Sequence, residues 1–125
     1  MNSLSVFRWL VKGWRSLWTY DLTSQQLQQI GHQGLNIWEA SWLGNDFVLA
    51  IVSDLPTEDS WYRAYVVTID LRTGRCDTIY RPQLQIGLPV SAPSGSHLAF
   101  VECLSSDRGG VAGGVMLMQT GVSKP

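Results

Sequence analysis

Charge is sparse in this 125-residue chain. Only 15% of residues are Asp, Glu, Lys or Arg, they form no acidic or basic tract, and the formal net charge is −1 at pH 7. Nothing of that kind tracks a phosphate backbone, so nucleic acid is not expected as a partner. The N-terminal apolar run is too short and too interrupted by charge to cross a bilayer. No clean apolar stretch followed by a small-residue cleavage site marks a signal peptide. Cysteine is nearly absent too: Cys76 and Cys103 stand far apart, with no close Cys partner. They read as small buried hydrophobes in a reducing compartment, which implies a cytoplasmic location, with a disulfide as the alternative. Of two histidines, His32 has no Cys, His or carboxylate at ligand spacing and reads as a solvated loop residue, and His97 follows a turn. No metal or cofactor is expected.

What is present is apolar and aromatic. Hydrophobic residues make up 45% and mean hydropathy is +0.02, the balance of a globular chain able to bury one core. All six Trp lie in the first half, where large aromatics fill cores and interfaces.

The organising stretch is residues 65–74, Y-V-V-T-I-D-L-R-T-G. Tyr65, Val67, Ile69 and Leu71 fall on one face at period two, in a β-branched and aromatic context, so a strand is expected. Thr73-Gly74 turns it, and a second strand follows to Tyr80. Residues 17–24, L-W-T-Y-D-L-T-S, resemble it at an offset of 49 that lays Asp21 on Asp70 and Leu22 on Leu71. The same offset lays Leu49-Ala50 on Leu98-Ala99, and 66–69 on 115–118. Before each such hairpin lies another, turning at Gly44-Asn45-Asp46 and at Pro93-Ser94-Gly95-Ser96. The repeat unit is therefore four short antiparallel strands in sequence, the pattern of propeller blades. The expected fold class is all-β. The expected layout is a partial blade over 17–30, a full blade over 35–80, a partial blade over 86–119 that lacks its outermost strand, and a tail over 121–125.

Residues 1–16 admit two readings. Phe7, Leu10, Val11, Trp14 and Leu17 recur at helical spacing with Arg8, Lys12 and Arg15 between them, a basic amphipathic segment for a membrane surface. A strand over 5–11 that turns at Lys12-Gly13 is preferred, because Gly13 interrupts the helix and Leu17 belongs to the strand repeat. Membrane contact is accordingly not expected.

Two loops are candidate binding elements. Residues 54–60, D-L-P-T-E-D-S, are acidic, but Asp54, Glu58 and Asp59 do not fit a calcium loop, so a solvated hairpin connection is expected. Residues 105–114, S-S-D-R-G-G-V-A-G-G, lack the Lys and Ser or Thr of a phosphate-binding loop. They read as a second hairpin connection.

Residues 91–101, S-A-P-S-G-S-H-L-A-F-V, resemble the W-S-P-D-G-x-x-[IL]-A-F-V segment of repeats in TolB-type proteins and in the N-terminal propeller of the prolyl oligopeptidase family. Pro93, Gly95, Leu98, Ala99 and Phe100 match, whereas Ser91 replaces Trp and Ser94 replaces Asp. In the preceding copy Trp42, Leu49 and Ala50 match. The resemblance implies a non-catalytic propeller segment acting on a protein or peptide partner, or gating the substrate of a larger serine peptidase. Catalysis in that family belongs to a separate hydrolase domain. No G-x-S-x-G elbow occurs here, and Ser94-Gly95-Ser96-His97 is a hairpin turn, so the chain alone is not expected to be an enzyme and no residue is assigned a catalytic role. Closed propellers need about four to eight blades, more than the two and a half counted here. The expectation is a piece of a longer propeller protein, the alternative a homo-oligomer that completes a ring and binds a ligand through the two loops.

Overall fold

The computed structural model describes residues 2–8, 13–31, 34–105 and 111–121. His32 lies outside them, as does the apolar stretch at 9–12. Among the described residues ten strands form three antiparallel sheets. The first holds β1 (Asn2–Arg8), β2 (Arg15–Asp21) and β3 (Leu27–Ile30). The second is a meander of β4 (Asn36–Leu43), β5 (Phe47–Ser53), β6 (Tyr65–Asp70) and β7 (Cys76–Tyr80). The third joins β8 (Gln85–Ser91), β9 (His97–Ser105) and β10 (Val111–Gln119), with β9 in the middle. The N-terminal segment is a strand, three residues earlier than the sequence suggests, and β2 pairs with it from Arg8↔Arg15 to Asn2↔Asp21. Among the described residues no helix is long and apolar enough to cross a membrane.

The hairpins at Asp21 and Asp70 are built alike. In each, the aspartate Oδ1 accepts backbone N–H groups of its own turn: Thr23 at 2.8 Å and Ser24 at 3.1 Å from Asp21, Arg72 at 2.9 Å from Asp70. Those bonds hold both carboxyls below the usual range. The carbonyls of Asp21 and Asp70 accept from the N–H of Gln25 and Gly74, each at 2.8 Å and each 4 residues on. Both of these residues take positive φ, 57° at Gln25 and 76° at Gly74. A glycine relieves that conformation at Gly74, and Gln25 adopts it with a side chain.

The middle sheet is covered on both faces, which is why β5 reads as an unbroken apolar run and not as alternation. Val48, Ala50, Val52, Tyr65, Val67 and Ile69 pack with Leu17 of the first sheet. Leu49, Ile51 and Val66, on the opposite face, pack with Ile86, Leu98 and Phe100 of the third. Three sheets therefore stack around two cores.

The register corrects the gapless offset read from the sequence. Trp42 pairs with Val48 in the second sheet, and Ser91 with Leu98 in the third. With Trp42 laid on Ser91, an offset of 49, Val48 falls on Leu98, an offset of 50. Ala50 then falls on Phe100, not Ala99. Their partners on the next strand, Val67 and Met116, return to 49. The cause is the turn: Leu43 pairs with Phe47 across Gly44, Asn45 and Asp46, whereas Ala92 bonds the carbonyl of His97 across Pro93, Ser94, Gly95 and Ser96. One extra residue shifts β9, and in a strand a shift of one exchanges the faces. Leu98 and Phe100 thus face the second sheet, as Val48 and Ala50 face the first.

Candidate interaction surfaces

Residues 49 apart in the chain meet along β4 and β8, on neighbouring sheets. The Ser91 hydroxyl donates to the Trp42 carbonyl, and the Leu88 N–H lies 3.2 and 3.3 Å from the two Glu39 carboxylate oxygens. Leu88 sits at φ 57° beside the β8 bulge between Gly87 and Val90, which turns its N–H out of the ladder. The turns at Gly44 and Gly95 abut so closely that a Cβ on Gly95 would lie 3.4 Å from Gly44 Cα. This contact places the β4–β5 and β8–β9 turns at one end of the stack. The chain leaves β5 and β9 at the other.

At that other end, residues 54–60 connect β5 to β6, exposed except at Pro56 and Ser60, in keeping with a solvated hairpin connection that also carries structure of its own. Residues 54–57 bend, and a 3-10 helix, Glu58–Arg63, follows. Thr57 starts it, its carbonyl accepting from Ser60 N at 3.0 Å and its hydroxyl sharing a hydrogen with Ser60 at 2.8 Å, which buries Ser60. The Thr57 hydroxyl also holds the Asp59 carboxyl below its usual range. Trp61 meets Tyr62 edge-on at 5.2 Å, and with Trp38 and Glu58 they line an open hollow of about 330 Å³. Trp38 is fixed in place: its indole N–H donates to Ser53 at 2.8 Å, and the Arg15 guanidinium lies 4.5 Å above its ring. From the sequence Trp38 and Trp61 count among the aromatics that fill cores and interfaces, and Trp38 does pack against the core shared with the third sheet. Their clustering depends on β4 and the 3-10 helix meeting at one end.

Asp54 accepts from the Tyr65 hydroxyl at 2.6 Å, and the Arg81 guanidinium covers the Tyr65 ring at 4.1 Å. Burial first, then the bond to Asp54, pushes the Tyr65 phenol up from 10.0 to about 12. The folded state therefore keeps a proton that the unfolded chain releases. Stability from this group is complete below pH 10 and is lost as pH rises toward about 12. Urea unfolding measured across that window is expected to show a decline that Tyr65→Phe reduces. A decline identical in the variant would remove Tyr65 from the account.

At the turn end, a cleft of about 620 Å³ opens between the second and third sheets. Its floor is Phe47, Ile79, Leu98 and Met118, and Arg72 and Asp77 stand on its rim. Above it, Glu102 ties the sheets together. It accepts from the Tyr80 hydroxyl at 2.6 Å and from Gln83 N at 2.8 Å, with the Tyr80 bond foremost in lowering its carboxyl.

Residues 111–114 belong to β10, so the connection after β9 is shorter than expected. The His97 ring lies 2.9 Å from the Ser96 hydroxyl and is half-buried. Cys103 is buried, and Cys76 packs half-buried against the core around Leu17. Among the described residues no three His, Cys, Asp or Glu side chains gather as a metal site.

These features define an all-β protein of stacked antiparallel sheets with an aromatic hollow at one end and a cleft at the other. No protein-family model matches the chain, and no curated protein matches it either.

Proposed function

We propose that this chain is a non-catalytic β-propeller segment that presents an interaction surface for a protein or peptide. Its blades are like those of TolB-type proteins and of the prolyl oligopeptidase propeller. The observation that supports this most is the meeting of residues 49 apart, Glu39 with Leu88 and Trp42 with Ser91, across adjacent sheets. Each sheet turns the same face toward its predecessor, the relation that rotation about a propeller axis requires. The outer face of the third sheet favours a second reading, a homo-oligomer. Val90, Val115 and Leu117 there are 57%, 73% and 72% exposed, in positions whose counterparts on the second sheet face a neighbour. In a longer parent protein the same segment would gate a peptidase.

Size exclusion with light scattering, and circular dichroism on the same fractions, tests both. A folded β-rich monomer is expected for the interaction segment. A discrete β-rich ring selects the oligomer, and a chain without cooperative unfolding removes the folded module altogether.

A further inference from the structure

On a 3-10 helix, side chains three residues apart eclipse. Glu58 and Trp61 therefore stand one above the other on the helix Glu58–Arg63, and Tyr62 follows with its ring at 72° to that of Trp61. With Trp38 of β4 they line the open hollow of about 330 Å³. Its walls are held by bonds within the protein. The Trp38 indole N–H donates to Ser53, whose hydroxyl donates to the Leu55 carbonyl at 2.7 Å, and Ser60 anchors the helix to Thr57. The one charged residue of the lining is acidic. Asp59 on the same helix pairs with Arg63 at 3.3 Å, whereas among the described residues Glu58 has no ion-pair partner. Arg15 stacks on Trp38 but does not line the hollow.

An aromatic ring is negative over its face, and a cation set against several such faces with a carboxylate nearby is attracted by all of them. N-methylation suits an ammonium group to such a place: it removes N–H donors that water would satisfy and adds methyl groups that pack on rings. A neutral sugar would instead need a flat platform and a set of donors and acceptors. Rings at 72° form a corner, and the lining has no Asn, Gln, Lys or Arg. Sites for free small molecules enclose most of the ligand. This one is open, with Tyr62 49% exposed, so it fits the tip of a side chain whose remaining contacts lie outside it. We propose that the hollow binds the N-methylated ammonium of a lysine side chain on a partner peptide, its methyl groups against Trp38, Trp61 and Tyr62 and its charge balanced by Glu58. This deepens the interaction-segment reading and rests on it.

The probe is a capped Gly-Lys-Gly peptide with trimethylated lysine, titrated into the full chain and followed by NMR. The indole N–H signals of Trp38 and Trp61 are expected to shift saturably, and the N-methyl protons to move upfield under the ring currents. The unmethylated peptide, and a neutral isostere with carbon in place of the quaternary nitrogen, are each expected to bind about tenfold or more weakly. Glu58→Gln and Tyr62→Leu are each expected to weaken binding about threefold or more, and Tyr62→Phe to retain it. Absence of these shifts in a chain with the dispersed amide spectrum of a folded β protein overturns the proposal and leaves the interaction-segment reading standing. A spectrum without dispersion overturns both. Equal binding of the neutral isostere overturns the proposal by reducing the hollow to apolar contact. Choline that binds about tenfold tighter than the peptide, or methyl glucoside that does so at the same signals, overturns it by making a free small molecule the occupant.

Discussion

Phe100→Ala is expected to lower the unfolding free energy by about 3–5 kcal/mol, the range for deleting a fully buried aromatic ring. Phe100 is 1% exposed and lies in the core that joins the second sheet to the third, with its ring centre 5.0 Å from that of Tyr80. Removing it leaves a void lined by Leu49, Ile51, Val66 and Ile86. Strands on both sides of that void are held in ladders, so the walls cannot close over it. Tyr80 also donates to Glu102, and that bond depends on the aromatic pair holding its ring in place. The test is urea unfolding followed by tryptophan fluorescence. A loss below about 1 kcal/mol, the scale of a surface substitution, would mean that the second and third sheets do not pack as described. The result also bears on the register, because on the gapless offset Phe100 would stand at the place of Ile51 and face away from the second sheet.

Gly113→Ala is expected to cost about 1–3 kcal/mol, the range for forcing atoms into a packed site. A Cβ there would lie 2.2 Å from the Glu102 carbonyl oxygen and 2.5 Å from Cys103 Cα. Both are backbone atoms of β9, so the neighbour cannot rotate away and the β9–β10 ladder itself must give. The adjacent Gly114 supplies the internal comparison, since a Cβ there meets nothing within 4 Å. Gly114→Ala is expected to be neutral or to stabilise by about 0.5 kcal/mol, by restricting the unfolded chain. Denaturant midpoints of the two variants, with hydrogen exchange over β10, separate these outcomes. Equal effects at 113 and 114 would show that β10 does not approach β9 at Gly113.

Much of the fold was legible from local pattern. The alternation over 65–70 specified a strand, and the hairpins at Asp21 and Asp70 were readable because Asp21-Leu22 recurs as Asp70-Leu71 at an offset of 49, with Gly74 marking the second turn. The four strands of the middle sheet follow from turn residues between apolar runs. These are local properties, set by the chain's own neighbours in sequence.

Facing and clustering were not legible in this way. An offset of 49 was read from the sequence, yet the single extra residue in the turn before His97 moved β9 by one, and only strand pairing reveals which side chains then point inward. Because β5 is apolar on both faces, its composition carries no signal of which residues meet the first sheet and which meet the third. The 3-10 helix after Thr57 and the bond from Tyr65 to Asp54 join groups that no spacing rule connects. The cleft joins Phe47 and Ile79 of the second sheet to Leu98 and Met118 of the third, residues that no spacing rule connects. Sequence thus determined the strands, their order and their turns, which depend on backbone conformation and side-chain alternation within a few residues. Tertiary structure alone decided which faces are buried and where the aromatics gather, because those depend on contacts between sheets roughly fifty residues apart in the chain.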